Sequence, residues 1–480
     1  MEYLIRNKKG DGLIGIHGSF RGRRSDRRNR FFIAVLAGIF ILASEDRGVA
    51  GELGLFVEQV VQGHPEIRAA HSRVRIAHAA LRETRARSWP QARVQSVLTR
   101  GDHPVFVFGS LLQQRSFEAK HFDVGYLNDP GDLTDVSTSL EIGLPLFTGF
   151  EQSRNRQLAD LGVRESVSRS RGTAQDLRHQ AAEAYLTVIL KKAQRAAVRE
   201  RIDSAAQEMQ SAQRLKAKGL ILGSDFYAAE SILEGLRAWE IQLAAEEQSA
   251  QAVVFSLAGG AGDIPSYRSR LSESLYEVGD LPLLEKEALE NRDDIVLASH
   301  RTREAGLKSA MAGSSILPRV EAFASVASHT GDFSDHPADR LWGVRLGMAL
   351  GDPSYPARRA RSRAAEEEAR ANQESVRDRV KREVAQSLSF YQGAVSALVP
   401  VKKSRSLAAE SLELFRPLYR SGRQSILDVL RAEEGLARAD IHYLDALYRI
   451  HSGYLRLASS MGRLDEGTVS RLSDRLEVLP

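Results

Sequence analysis

Apolar side chains along this chain follow two periodicities, and the order in which the two appear is itself repeated. Leu177, Ala181, Ala184, Tyr185, Val188 and Ile189 recur at the spacing of one helical face, and Ala229, Leu233, Leu236 and Leu243 resume it after Gly219. No proline interrupts the chain between Pro145 and Pro265. The spacing predicts a helix from Phe150 to about Lys216, ~100 Å long at about 1.5 Å per residue, a length for which a compact globule has no use. A second pair of long helices is predicted from about Tyr355 to Tyr419 and from Ser425 to Met461. Ile441, Leu444, Tyr448 and Leu455 form one stripe there, with kinks expected at Pro400 and Pro417. On the helices alone, a generic coiled coil is an open alternative.

Between the helices the period falls to two. Leu140, Ile142, Leu144 and Leu146 alternate with Ser139, Glu141, Gly143 and Pro145. Trp342, Val344, Leu346, Met348 and Leu350 alternate in the same way with Gly343, Arg345, Gly347 and Ala349. Weaker runs at about Arg93–Thr99 and Arg319–Ala327 bring the number of amphipathic strands to four. Each is close to the roughly nine to eleven residues that a membrane barrel requires. Four strands cannot close a barrel, and lipid tolerates no unpaired strand edge, so strands in lipid would have to be shared among protomers. Two hairpins packed on a soluble helical body is the other reading these residues allow. A segment from Asp102 to Asp135 joins the first two strands and is expected on the outer surface.

The two halves match without gaps. His64–Ala92 against Arg292–Val320 pairs Ile67 with Ile295, Ala70 with Ala298, Arg73 with Arg301, Arg75 with Arg303, Ala77 with Ala305 and Pro90 with Pro318. Farther on, Lys218-Gly219 matches Ser421-Gly422, Asp225 matches Asp428 and Glu230 matches Glu433. Two copies of a domain-sized unit are implied rather than a short solenoid. The expected organisation is a signal peptide over residues 1–50, a first repeat over 51–280 (helix, two strands, long helical hairpin), a second over 281–466 and a C-terminal tail over 467–480.

Charge bears on the ends of the chain more than on its body. The formal charge is +5, yet the first fifty residues hold ten Lys/Arg and five Asp/Glu, which leaves the remainder formally neutral and gives no support for a nucleic-acid partner. Arg21 to Arg30 reads RGRRSDRRNR and is followed by the apolar run Phe31 to Ala43 and by Ser44-Glu45-Asp46. That is a secretory signal pattern, shorter than the roughly 20 residues of a spanning helix, with a retained anchor as the alternative. The absence of cysteine excludes disulfides and a lipid-modified cysteine.

Catalytic motifs are lacking. There is no cysteine nucleophile, no HExxH and no P-loop, and Gly259-Gly260-Ala261-Gly262 lacks the strand and helix of a dinucleotide fingerprint. His64, His71 and His78 recur every seven residues, which spaces them by about 10.5 Å of helical rise, too far apart to share one ion within a protomer. Neither a cofactor nor a metal is expected.

The signal pattern, the duplicated unit, the paired glycine turns, Phe108-Gly109-Ser110-Leu111-Leu112-Gln113-Gln114 and Leu127-Asn128-Asp129-Pro130 together resemble the TolC-like outer-membrane factors, over roughly Gly51 to Leu464. The resemblance implies a mainly α protein with membrane β. Such proteins are homotrimers in the outer membrane, in which four strands per protomer build a twelve-stranded β-barrel continued by a periplasmic α-helical coiled-coil tunnel. It also implies a passive conduit for tripartite efflux or type I secretion. The partners would be a periplasmic adaptor (membrane fusion) protein and an inner-membrane pump of RND or ABC type. Leu140, Ile142, Leu144, Leu146, Trp342, Val344, Leu346 and Met348 would then face outer-membrane lipid. Lys218-Gly219-Leu220 and Ser421-Gly422-Arg423 resemble the adaptor-contacting tips, where glycine allows a left-handed reversal, although a plain helix cap has the same requirement.

Asp225, Tyr419 and Asp428 match the family's periplasmic gate. Three copies of Asp428 about a narrow axis would concentrate cations. The chain departs from the family pattern where Arg431 replaces a second aspartate and Gln424 replaces a gating arginine. Arg431 could neutralise Asp428 at a three-residue helical spacing. A periplasmic adaptor or coiled-coil scaffold is the competing function. Such a protein should show compact β-domains flanking one hairpin, whereas this chain shows two hairpins and lipid-type alternation in both copies.

Overall fold

The computed structural model describes residues 51–260, 265–332 and 338–478, so the stretch expected to be a signal peptide lies outside the described residues. The chain opens with helices α1 (Glu52–Gly63) and α2 (Pro65–Ala86), the latter started by Pro65 in its first turn and by the His64 ring, which accepts the Glu66 N–H at 3.3 Å. Strand β1 (Gln91–Gly101) follows, then α3 (Pro104–Gln113), a 3-10 turn (Ala119–Phe122) and α4 (Val124–Asn128), so the segment expected as a loop is largely helical. Strand β2 (Leu133–Thr148) leads directly into α5 (Glu151–Ala217), which turns back as α6 (Gly223–Leu257), and a short strand β3 (Ser269–Arg270) closes the first half. The second half repeats the order. It runs through α7 (Leu281–Asn291), α8 (Asp293–Gly313), β4 (Arg319–Thr330), β5 (Ala338–Gly347), α9 (Tyr355–Arg420) and α10 (Ile426–Ser460). The residues set aside as a tail are folded where described: α11 (Glu466–Asp474) buries Val469 and Leu472, and β6 (Glu477–Val478) pairs with β3.

The long helices fall within a residue or two of the periodicity's expectation. α5 has 67 residues and α9 has 66, and α9 continues as one helix through Pro400 and Pro417. No helix among the described residues is long and apolar enough to cross a membrane. The strands form one antiparallel sheet in the order β1-β2-β4-β5, leaving β1 and β5 as its edges.

Two centres fix the helices to the surrounding loops. Glu52, at the start of α1, accepts hydrogen bonds from Ser266 Oγ (2.7 Å), the Tyr267 and Arg268 N–H groups (both 2.9 Å) and Tyr185 Oη (2.9 Å). Burial works against its ionisation, but the bonds from Ser266, Arg268 and Tyr185 outweigh it and hold the carboxyl below its usual range. The second centre joins the 265–280 segment to α9 and α10. Tyr276 stacks on Tyr454 at 3.9 Å, its N–H and carbonyl both bond the Tyr391 hydroxyl at 2.8 Å, and its own hydroxyl lies 2.6 Å from His451 Nδ1. His451 Nε2 lies 3.1 Å from the Ser272 carbonyl, which can only accept. Nε2 therefore carries the proton and Nδ1 accepts from Tyr276.

Burial pushes the fully enclosed His451 down to about 4, with the Ser272 bond opposing. The folded protein keeps this ring neutral while the unfolded chain protonates it below about 6.5. His451 should contribute its full stabilisation above pH 6.5 and lose roughly 3 kcal/mol as pH falls toward 4. Denaturant midpoints measured across that window should fall more steeply for the native protein than for His451→Gln, and parallel curves would contradict the assignment.

Candidate functional site

The sheet's register sorts its side chains onto two faces. Residues opposite one another in antiparallel strands share a face. Val94, Leu140, Val326 and Arg340 are therefore on one face, as are Ala92, Ile142, Ala324 and Trp342 in the next row and Leu144, Ala322 and Val344 in the row after. The reverse face carries Arg93 opposite Glu141, Glu141 opposite Ser325, and Glu321 opposite Arg345. There the Arg345 guanidinium lies 3.5 Å from Glu321 and 5.0 Å from the centre of the Phe323 ring. A Cβ on Gly143 would come within 2.7 Å of the Glu321 carboxylate, so glycine makes room for that pair. The apolar face is bare: Trp342 is 83% exposed, Leu140, Ile142, Val344 and Leu346 are also exposed, and Leu144 is half-buried.

Two residues expected in this alternation depart from it. A register shift between Pro145 and Phe147 leaves Leu146 without a ladder partner and puts Phe147 opposite Val320. Met348 follows Gly347, the last paired residue of β5, so it lies beyond the strand. Aromatic residues at the helix-facing ends of the strands were not anticipated. Trp89, 73% exposed, precedes β1, and the exposed Phe150 follows β2, where interfacial aromatics of membrane strands sit.

At the other end of the long helices, the two turns close alike. In the first, Leu220 N–H donates to the Leu215 carbonyl (3.0 Å) and Gly219 N–H to Lys216 (2.9 Å); in the second, Arg423 N–H donates to Leu418 (2.8 Å) and Gly422 N–H to Tyr419 (2.9 Å). This double bond pattern needs a left-handed residue, and Gly219 (φ 71°) and Gly422 (φ 72°) supply it. Both glycines are therefore helix caps, whatever else they do. Lys218, Ser421 and Arg423 are exposed beside them, as is Leu220 at 67%.

The two tips are tied together one turn inward. Ser425 caps α10, accepting the Leu427 N–H at 3.1 Å, and donates its hydroxyl to Asp225 of α6 at 2.7 Å. Arg431 reaches Asp428 at 3.9 Å across one turn of α10, with its own head group largely in solvent. Tyr419 is buried among Ala205, Phe226, Leu412 and Ile426, and its hydroxyl has no hydrogen-bond partner among the described residues. Burial, followed by the nearby Glu208 charge, raises its pKa.

Sequence reasoning missed the most enclosed charge in this region. Glu433 on α10 has no exposed surface, and it accepts from Arg416 of α9 (2.7 Å) and Ser204 of α5 (2.6 Å), with Arg201 of α5 at 3.7 Å. Its repeat match with Glu230 was the available signal, but Glu230 is exposed, so the match alone could not reveal a buried network.

A family model described as "Outer membrane efflux protein" matches residues 56–260 and 284–463. No curated protein matches significantly. Among solved structures, the chain is similar to the CusC channel (TM-score 0.75, 17% identity, covering 88% of this chain and 95% of that one). It is also similar to the Campylobacter jejuni CmeC outer membrane channel (TM-score 0.73, 12% identity, 91% and 94%). A third likeness is to the open state of the Neisseria gonorrhoeae MtrE outer membrane channel (TM-score 0.72, 15% identity, 87% and 90%). At these identities the likeness is one of fold.

Removing one partner from a buried ion pair costs about 3–5 kcal/mol, because the other charge is left unpaired. Glu433→Ala should therefore weaken the α5, α9 and α10 contact by roughly that amount. The effect would be read as faster hydrogen exchange in the tip halves of these helices, with exchange near His451 unchanged. Glu433→Gln, which retains an acceptor, should lose less.

Proposed function

The chain belongs to the outer membrane efflux protein family, and from that premise we propose how its own residues build, close and connect the channel. It is an outer-membrane efflux channel protein with a large periplasmic helical portion. Channels of this family are trimeric and work with an adaptor and an inner-membrane pump. Three copies of this chain assemble, with β5 of each protomer pairing with β1 of the next. The carrying observation is a sheet with an exposed apolar face, a charged reverse face and two edges, of ten and eleven residues, unpaired among the described residues. Only closure on further copies satisfies those edges in lipid.

Within that assembly, Leu140, Ile142, Leu144, Trp342, Val344 and Leu346 meet outer-membrane lipid, and the Glu321–Arg345 face lines the barrel. Residues 1–50 direct export and are removed. The tips at Lys218-Gly219-Leu220 and Ser421-Gly422-Arg423 meet the periplasmic adaptor, with the pump, of RND or ABC type, beyond it. The Ser425–Asp225 bond holds the α9–α10 hairpin against the α5–α6 hairpin and keeps the entrance narrow. Asp428, partly offset by Arg431, sets the entrance charge. The protein has no catalytic task, because a conduit needs only a wetted path and a gate. An adaptor or scaffold would give the apolar sheet face no purpose.

Single-channel recording in planar bilayers tests this reading. The purified trimer should give small pores that prefer cations and are blocked by trivalent cations added on the periplasmic side, and Asp428→Asn should weaken both properties. Ser425→Ala should lengthen openings several-fold. Pores indifferent to both substitutions would move the gate elsewhere, and a folded trimer without pores would overturn the conduit.

A further inference from the structure

The helices nearest the sheet are arranged in the same row as the strands. α2 runs into β1, β2 into α5, α8 into β4 and β5 into α9, and α2 packs on α5, α5 on α8 and α8 on α9. The row therefore ends at α2 and α9. On α9, Tyr355 bonds the Gly313 carbonyl and Gln373 accepts from Thr302, which turns that side toward α8. The opposite side carries Ala357, Ala360, Ala364 and Ala371, all exposed and spaced as one helical face. α2 leaves Ala69, Ile76 and Ala79 exposed on the side away from α5, with Ile76 67% exposed.

The internal duplication supplies a register for these two faces. With Gly219 aligned on Gly422, Arg154 falls on Ala357, Leu161 on Ala364, Arg164 on Glu367 and Arg171 on Glu374. With Ile67 aligned on Ile295, Asp293 falls on Pro65 and Ser314 on Ala86. Within the chain, α5 meets α8 through Arg154 with Ser314 and through Arg171 with Asp293 at 3.1 Å. Carried to the ends of the row, the same contacts bring Ala357 to Ala86 and Glu374 to Pro65. Ile76 then falls opposite Ala364, and Glu367 and Glu374 come within a turn of Arg75 and Arg68. Glu367, Glu374 and Arg68 make no ion pair within the described residues, although neighbouring Arg370 and Arg379 on α9 do.

We propose that α9 of one protomer seats its alanine face on α2 of a second copy, with Ile76 against Ala364 and with Glu374–Arg68 and Glu367–Arg75 pairs across the seam. This rests on the trimeric channel reading and names what sets its register below the barrel. Small side chains let the helices approach closely, and the charges choose the partner. α5 presents Arg164 and Arg171 where α9 presents Glu367 and Glu374, so the arginines of α2 favour the intermolecular contact.

The chain has no cysteine, so Ile76→Cys combined with Ala364→Cys reports the seam directly in the full-length protein. Mild oxidation should link subunits into covalent trimers, and neither single variant should do so. Glu374→Arg should lower the fraction of trimer surviving heating in detergent by roughly fivefold to tenfold across three seams, and Arg68→Glu should restore it. Trimers that conduct in bilayers yet stay unlinked and indifferent to the charge reversal would overturn the seam and leave the conduit standing. Protein that neither trimerises nor conducts would remove both.

Discussion

A strand edge in hydrocarbon has nowhere to send its hydrogen bonds, and the rest of this molecule follows from that constraint. Each chain supplies four strands with an apolar face and leaves β1 and β5 open. The strand edges cannot be capped by loops inside lipid, so they have to meet other edges. Because each strand of the sheet is joined end to end to one helix of the row, an arrangement imposed on the strands passes to α2, α5, α8 and α9. The helices take the order of the sheet, and the open ends of the helical row lie below the open edges of the barrel.

Away from the membrane, buried apolar clusters run along the long helices, and polar centres set among them hold those helices in register. The Glu52 carboxylate, the Tyr276–His451 stack and the Glu433–Arg416 pair each join elements far apart in sequence. α5 and α9 have low overall amphipathicity, because different stretches of one helix face different neighbours. Van der Waals packing along a 67-residue helix permits sliding by a turn, whereas a buried carboxylate with directed donors does not. Two of the three centres involve α10, the helix that carries Asp428. The register of Asp428 is thus set by groups deeper in the protein than Asp428 itself.

The two periodicities made the long helices, the four strands and the duplicated order legible from sequence, because each reflects a face that must be buried or bare. What stayed hidden depends on side chains meeting across elements. Leu146 continues the alternation in sequence, yet a bulge leaves it unpaired, and Met348 continues it past the end of β5. Pattern cannot find either departure, since both are properties of the ladder. Tyr419 matched a family position but lies in the apolar core between the hairpins, and Ser425, which reaches Asp225, carried no signal beyond that of an ordinary helix cap. Glu433 was visible only as a repeat match whose twin is solvent-exposed.

Duplication also explains why the two halves could diverge as they have. Equivalent positions occupy equivalent places in the ring but not equivalent partners, because α5 meets a helix of its own chain while α9 ends the row. The first contact forms at high local concentration during folding and accommodates Arg164 and Arg303 in one cavity, where Asp160 pairs with Arg164 at 3.0 Å. The second has to be found by diffusion between chains, where steering by opposite charge has most effect. Selection on the two seams therefore differs even though their geometry is shared. The glutamates of α9 stand where α5 has arginines for the same reason that the sheet has two open edges: one copy of the fold is incomplete.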